Sequence, residues 1–219
     1  MKEKIAVSWS GGKDSTLALY KLLQEDNYIV DSLFTTITEG YNRISVHGVR
    51  EALLEQQAES IGIPLRKMYI PQESSHNIYK ERMTEQLKQM KKDGIETVMF
   101  GDIFLEDVRA YREELINEQK MQAVFPIWGV PTEQLVKEFL SLGFQTVTTC
   151  IDSEKLSNDF LGRTIDDSFI QQLPEHVDVC GENGEFHTFT FTGPLFDKKI
   201  NFTVGDIVEK GRFHFCELL

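Results

Sequence analysis

Six residues, Ser10-Gly11-Gly12-Lys13-Asp14-Ser15, stand between the apolar run Ile5-Ala6-Val7-Ser8-Trp9 and a helical pattern carrying Thr16, Leu17, Ala18, Leu19 and Leu22. A strand that passes through a glycine loop directly into a helix fixes its local geometry whatever the rest of the chain does. Backbone N–H groups at the helix N-terminus point into one small volume, and the helix dipole adds partial positive charge there. The arrangement predicts an anion site that suits a phosphate or pyrophosphate, and therefore a nucleotide.

Two familiar nucleotide loops do not fit. The Gly-x-x-x-x-Gly-Lys-Ser/Thr loop would need a glycine where Val7 stands and a hydroxyl residue where Asp14 stands. The dinucleotide pattern Gly-x-Gly-x-x-Gly fails because Gly11 and Gly12 are adjacent and no third glycine follows. The segment resembles the PP-loop of the ATP pyrophosphatases, Ser-Gly-Gly-x-Asp-Ser, and matches it completely from Ser10 through Ser15. In that reading Gly11 and Gly12 permit close backbone approach and positive φ. Ser10 and Ser15 offer hydroxyls to phosphate oxygens, and Lys13 supplies a mobile point charge. Asp14 orders the loop or helps to hold Mg²⁺. A glycine-rich turn without a ligand is the plainer alternative.

Hydrophobic periodicity organises the chain around this loop. Strands are expected at residues 5–8, 29–36, 65–70, 97–101 and 123–126, with helices following the loop and at 48–60, 77–92 and 105–119. Such alternation implies a doubly wound, five-stranded parallel α/β sheet with right-handed crossovers. The PP-loop resemblance implies the HUP, adenine nucleotide α-hydrolase-like version of that sheet, with the strands at 5–8 and 97–101 as neighbours. Ligands of such sheets sit beyond the C-terminal strand ends, near the switch point. Gly101 and Asp102 fall there, as do Thr36 and, after the second strand, Arg43 and His47. Beyond Trp128 the pattern changes to a helix at 131–142, a strand at 144–149, a helix near 166–172 and strands at 186–191 and 202–204. The expected division is an ATP-binding domain over residues 1–128 and a smaller α+β substrate domain over residues 129–219.

Composition removes several function classes. The net charge of −12 argues against a broad nucleic-acid surface, and only Lys88, Lys91 and Lys92 cluster. No apolar stretch is long enough to cross a bilayer, and the start of the chain leads straight into a strand, so a cytoplasmic protein is expected. Cys150, Cys180 and Cys216 form no Cys-x-x-Cys pair, which weighs against sulfur transfer and against a zinc site.

A second motif lies far from the loop: Cys180-Gly181-Glu182-Asn183-Gly184-Glu185-Phe186-His187-Thr188, followed by Thr192-Gly193-Pro194-Leu195-Phe196. Turn and strand chemistry alone account for much of it. They do not ask for two flanking glutamates and a histidine. The segment resembles the second signature of the diphthine–ammonia ligase family. Gly101-Asp102-Ile103 with Arg109 and Glu113, Phe125-Pro126-Ile127-Trp128, and Leu161-Gly162-Arg163 are further family-like stretches. The resemblance implies an ATP- and Mg²⁺-dependent, AMP-forming amide ligase: a carboxylate acceptor, such as one on a protein, is adenylated and then attacked by ammonia. It implies catalytic roles for Lys13, Asp14, Asp102, Glu182, Glu185 and His187, nucleotide contacts from Ser10 through Ser15 and from Thr36, His47, Gly101 and Arg163, and metal contacts from Asp14 and Asp102. Superfamily habit adds a homodimer. A non-catalytic ATP-binding sensor, or a PP-loop enzyme acting on a tRNA or small-molecule acceptor, are the alternative readings. The sensor needs the loop but not Glu182, Glu185 and His187.

Overall fold

A computed structural model describes residues 2–41, 43–44, 48–72 and 75–219. The expected parallel sheet is present. Its strands β1 (Glu3–Ser8), β2 (Tyr28–Thr38), β4 (Leu65–Ile70), β5 (Thr97–Met99) and β6 (Gln122–Val124) lie in the order β4-β2-β1-β5-β6. Val7 pairs with Leu33 on one side and Met99 on the other. The chain winds from β1 outward through β2 to β4, then returns to β5 and continues to β6. The switch point therefore lies between β1 and β5. One element was not anticipated: β3 (Arg43–Ile44) folds back antiparallel on the end of β2, pairing Ile37 with Ile44. The residues between Thr38 and Ser45 read as a polar loop, but Gly40 at φ 78° turns the chain and Ile44 is buried.

Helices α1 (Lys13–Gln24) and α2 (Glu51–Ile61) cover one face, and α3 (His76–Lys92) and α4 (Glu106–Glu118) the other. Each turns its apolar stripe inward, as amphipathic spacing demands: Leu53, Leu54 and Ala58 on α2, and Met83, Leu87 and Met90 on α3. Gly62 ends α2 in the left-handed conformation at φ 78°.

The second sheet is antiparallel. Strands β7 (Gln145–Asp152), β8 (Phe186–Thr192), β9 (Val204–Lys210) and β10 (Phe213–Leu218) lie in the order β8-β7-β10-β9, with α5 (Thr132–Ser141) and α6 (Asp167–Gln172) beside them. The strand expected at 202–204 begins two residues later and runs to Lys210, and β10 was missed. β9 is an exposed edge strand whose Val-Gly-Asp-Ile-Val-Glu-Lys sequence has no clean alternation. That removed the signal for the hairpin it makes with β10. The core does not stop between the sheets: Leu17, Leu54, Phe139, Val147 and Phe189 belong to one buried cluster.

A small polar knot joins the sheets where the glycine loop begins. The Gly11 carbonyl accepts the backbone N–H of Thr190 on β8 at 2.8 Å and the amide of Gln57 on α2 at 3.0 Å. Gln57, fully buried, also donates to the Thr190 carbonyl and accepts Trp9 Nε1–H at 2.9 Å. Gln57→Leu keeps the volume but strips buried donors and acceptors of their partner, so we expect it to cost roughly 3 kcal/mol. Urea unfolding checks this; a loss below about 0.5 kcal/mol would mean that the knot holds nothing together.

Candidate active site

The glycine loop is prefolded. Gly12 caps α1 with extended backbone, and its N–H donates to Ser10 Oγ at 3.2 Å. The Ser10 and Ser15 hydroxyls are 3.0 Å apart, and Ser15 Oγ and Thr16 Oγ1 donate to the Gly12 carbonyl at 3.1 and 2.8 Å. Gly11 is required twice over. Its φ is 74°, and a Cβ there would fall 2.6 Å from Gln57 Oε1 and 2.7 Å from Leu54 Cδ2. Gly101 is required by proximity: its Cβ would stand 3.0 Å from the Ser15 backbone. The turn after β5 therefore lies directly against the first turn of α1.

A cleft of about 550 Å³ opens at this switch point. Of the residues singled out in the sequence, Ser10, Lys13, Asp14, Ser15, Thr36 and Gly101 line it. Asp102, Glu182 and His187 join them. Gly11 and Gly12 shape the loop from behind. His47 lies outside the described residues. Arg163 is elsewhere: it donates to Gln172 Oε1 at 3.0 Å and lies over the rings of Phe160 and Phe169. Arg109 and Glu113 form an ion pair at 2.8 Å, with the guanidinium over Phe125 and Trp128, which braces α4 against the 125–128 turn.

Lys13 is not the mobile charge expected from sequence. Its side chain is 3% exposed, and Nζ donates to both Asp14 oxygens at 2.7 Å and to the Cys180 carbonyl. Burial opposes the charge, but the fields of Asp14, Cys180 and Glu182 outweigh it and hold the ammonium protonated, above its ordinary value. The loop lysine of the first sheet is thus bonded to the second motif.

That motif forms a turn with its own scaffold. Asp178 Oδ2 accepts the N–H groups of Cys180 and Glu182 at 3.1 and 3.0 Å. Glu185 Oε1 in turn accepts Asp178 N–H and Asn183 Nδ2, both at 3.1 Å. Glu185 is buried beneath the turn and does not line the cleft. Glu182 does line it, its Oε1 receiving the Ile103 N–H at 2.8 Å. Burial, together with the nearby charges of Asp14 and Asp102, outweighs that bond and Lys13, and pushes the Glu182 carboxyl up to about 7. Cys180 is buried and burial pushes its thiol up to about 12, which makes it a poor nucleophile.

Sequence reasoning missed Gln57, a helix glutamine with no motif around it, and Arg112. Arg112 Nε lies 2.7 Å from Asp102 Oδ2, and its guanidinium sits over Phe100, 4.8 Å from the ring centroid. Nothing in the charged run Arg-Ala-Tyr-Arg-Glu-Glu distinguishes it. Among the described residues no group of three or more His, Cys, Asp or Glu forms a metal cage. Asp14 and Asp102 both line the cleft, and Mg²⁺ needs only one or two carboxylates when phosphate and water oxygens complete its shell.

The chain is similar to known proteins along most of its length. Residues 3–123 match the family model described as the diphthamide synthase N-terminal domain, and residues 131–217 the one described as its C-terminal domain. The diphthine–ammonia ligase of Homo sapiens is 26% identical over 228 residues, covering 94% of this chain and 85% of that protein. The diphthine–ammonia ligase of Rattus norvegicus is 27% identical over 220 residues, covering 90% and 82%. Among solved structures, the U34-tRNA thiolase NcsA from Methanococcus maripaludis aligns with 64% of this chain and 57% of its own at 17% identity, with a TM-score of 0.40.

The raised Glu182 carboxyl has a thermodynamic signature. Its folded value, about 7, exceeds the ordinary 4.5, so its stabilising contribution is complete below pH 4.5 and is lost as pH rises through 7. Glu182→Gln lacks this dependence. The melting temperature of the variant relative to the native chain should therefore rise by several degrees between pH 4 and pH 8. A difference that does not change with pH would show that the carboxyl is not raised.

Proposed function

This chain belongs to the diphthamide synthase family, and from that premise we propose that it is an ATP-dependent, AMP-forming ligase that converts the carboxylate of diphthine to an amide with ammonia. One observation carries the reading: Ser10, Lys13, Asp14 and Ser15 of the loop and Glu182 of the second motif face the same cleft. Residues 1–128 then supply the ATP site, and residues 129–219 bring the second motif to it.

The chemistry follows from what each group can do. The acceptor carboxylate attacks the ATP α-phosphate, and pyrophosphate leaves. Charge accumulates on the leaving oxygens; the N–H groups at the start of α1 and the Ser10 and Ser15 hydroxyls can donate to them, and the fixed Lys13 ammonium, its three protons already committed, contributes its positive field. Because the loop is prebonded, little reorganisation is needed as that charge develops. Mg²⁺ on Asp14 and Asp102 would neutralise phosphate charge. In the second step ammonia attacks the acyl-adenylate and AMP departs. Ammonia is mostly protonated near neutrality, and a carboxylate poised at about 7 in a half-buried position suits removal of that proton. His187 lines the same cleft, and we assign it an assisting role.

The sensor alternative leaves this second wall without a purpose. A tRNA acceptor fits poorly with a net charge of −12. No helix among the described residues is long and apolar enough to cross a membrane. We propose a cytoplasmic location, as the sequence suggests, and, on superfamily habit, a homodimer.

Incubation with ATP, Mg²⁺, ammonium and diphthine should release AMP and pyrophosphate in equal amounts. Lys13→Ala and Asp14→Ala should each lower that rate by about 100-fold or more. Release of ADP and phosphate, or turnover indifferent to diphthine, would refute the assignment.

A further inference from the structure

Two cationic side chains, Lys13 and Arg112, line the cleft among the described residues, together with the three carboxylates of Asp14, Asp102 and Glu182. An anionic acceptor entering so acidic a site needs a cation that is free to receive it. Lys13 is not free: its three ammonium protons face three acceptors, two on Asp14 and one on Cys180. Arg112 is used differently. Its Nε lies 2.7 Å from Asp102 Oδ2, an ion pair whose geometry is not that of a hydrogen bond, and one face of the guanidinium covers Phe100. Among the described residues Nη1 and Nη2 donate to no protein acceptor. The ion pair and the ring hold the group in place and leave its forked edge open.

The two cations also belong to different parts of the cleft. Lys13 feels Asp14, Cys180 and Glu182. Arg112 is felt by Tyr79 and Tyr111, beside Asp102. Glu182 feels Lys13, Asp14 and Asp102.

We propose that Arg112 is the binding residue for the acceptor carboxylate, its Nη edge gripping both carboxylate oxygens before one of them attacks the ATP α-phosphate. In that step the carboxylate oxygen forms the new bond to the α-phosphorus, the bond from the α-phosphorus to the bridging oxygen breaks, and pyrophosphate leaves with the electron pair. Arg suits the task because its planar fork matches a carboxylate, which an ammonium does not. Asp102 becomes the residue that aims the fork, through Nε. This assignment rests on the ligase reading above.

The test separates acceptor binding from ATP binding. Diphthine-dependent exchange of labelled pyrophosphate into ATP is measured for the native chain, Arg112→Ala, Arg112→Gln and Arg112→Lys, and the Kd for ATP by equilibrium dialysis. The expected result is a KM for diphthine raised roughly 10- to 100-fold in all three variants, with the ATP Kd within about twofold of native. Arg112→Gln and Arg112→Lys keep an aliphatic stem over Phe100 and carry the test if the alanine variant does not fold. An unchanged KM for diphthine, or an ATP Kd weakened by the same factor as KM, overturns the assignment while leaving the ligase reading standing. A native chain that shows no diphthine-dependent exchange yet binds ATP overturns the ligase reading and the assignment with it.

Discussion

The carbonyl of Gly11 is the point on which this molecule is assembled. It accepts one bond from the backbone of β8 and one from the side chain of Gln57. Gln57 in turn receives the indole of Trp9, at the end of β1. Each bond is worth only about 1 kcal/mol net, but all of the groups are buried, and leaving any unpaired costs more. A few residues thus fix the glycine loop to both sheets at once. The Lys13 backbone N–H adds a fourth tie, to Thr188 Oγ1 at 3.0 Å. The loop cannot shift without dragging β8, and β8 carries His187 and follows directly on the turn that presents Glu182.

Electrostatics then divide the labour. A lysine and an aspartate adjacent in the chain neutralise each other at the mouth of the helix, with the lysine buried against the opposite motif. Further along, Asp102 and Arg112 form a second pair. Burial, with the charges of Asp14 and Asp102 added, outweighs the Ile103 N–H and Lys13 and pushes the Glu182 carboxyl up to about 7. A buried group that changes charge near neutrality suits a proton-transfer step. Such poise needs burial and neighbouring charge together, which is why Glu185, three residues on and beneath the turn, serves the scaffold.

The sequence revealed the sheet well because its signals are local. A β-branched apolar run, a helical stripe and a glycine that ends a helix each report on a few consecutive residues. Adjacency of the strands at 5–8 and 97–101 was reached through resemblance, and the pairing of Val7 with Met99 agrees with it. The C-terminal hairpin was less legible, since the exposed edge strand β9 is under no pressure to alternate. In the site, the loop and Glu182 were readable as motifs. The fixed state of Lys13 was not, because its partner Cys180 lies 167 positions away. Gln57 and Arg112 act only through neighbours that folding brings to them, and neither stands in a pattern. Glu185 shows the converse: a motif residue with a carboxylate that bonds the backbone of Asp178.

In the proposed reaction one cleft joins the acceptor carboxylate to the α-phosphate of ATP. The most direct measurement is a single turnover with diphthine whose carboxylate carries oxygen-18, in the presence of ATP, Mg²⁺ and ammonium, with mass spectrometry of the products. If a carboxyl oxygen becomes the bridge to the α-phosphate, the AMP released must retain one labelled oxygen while the pyrophosphate carries none. Unlabelled AMP, or label in inorganic phosphate, would contradict the account.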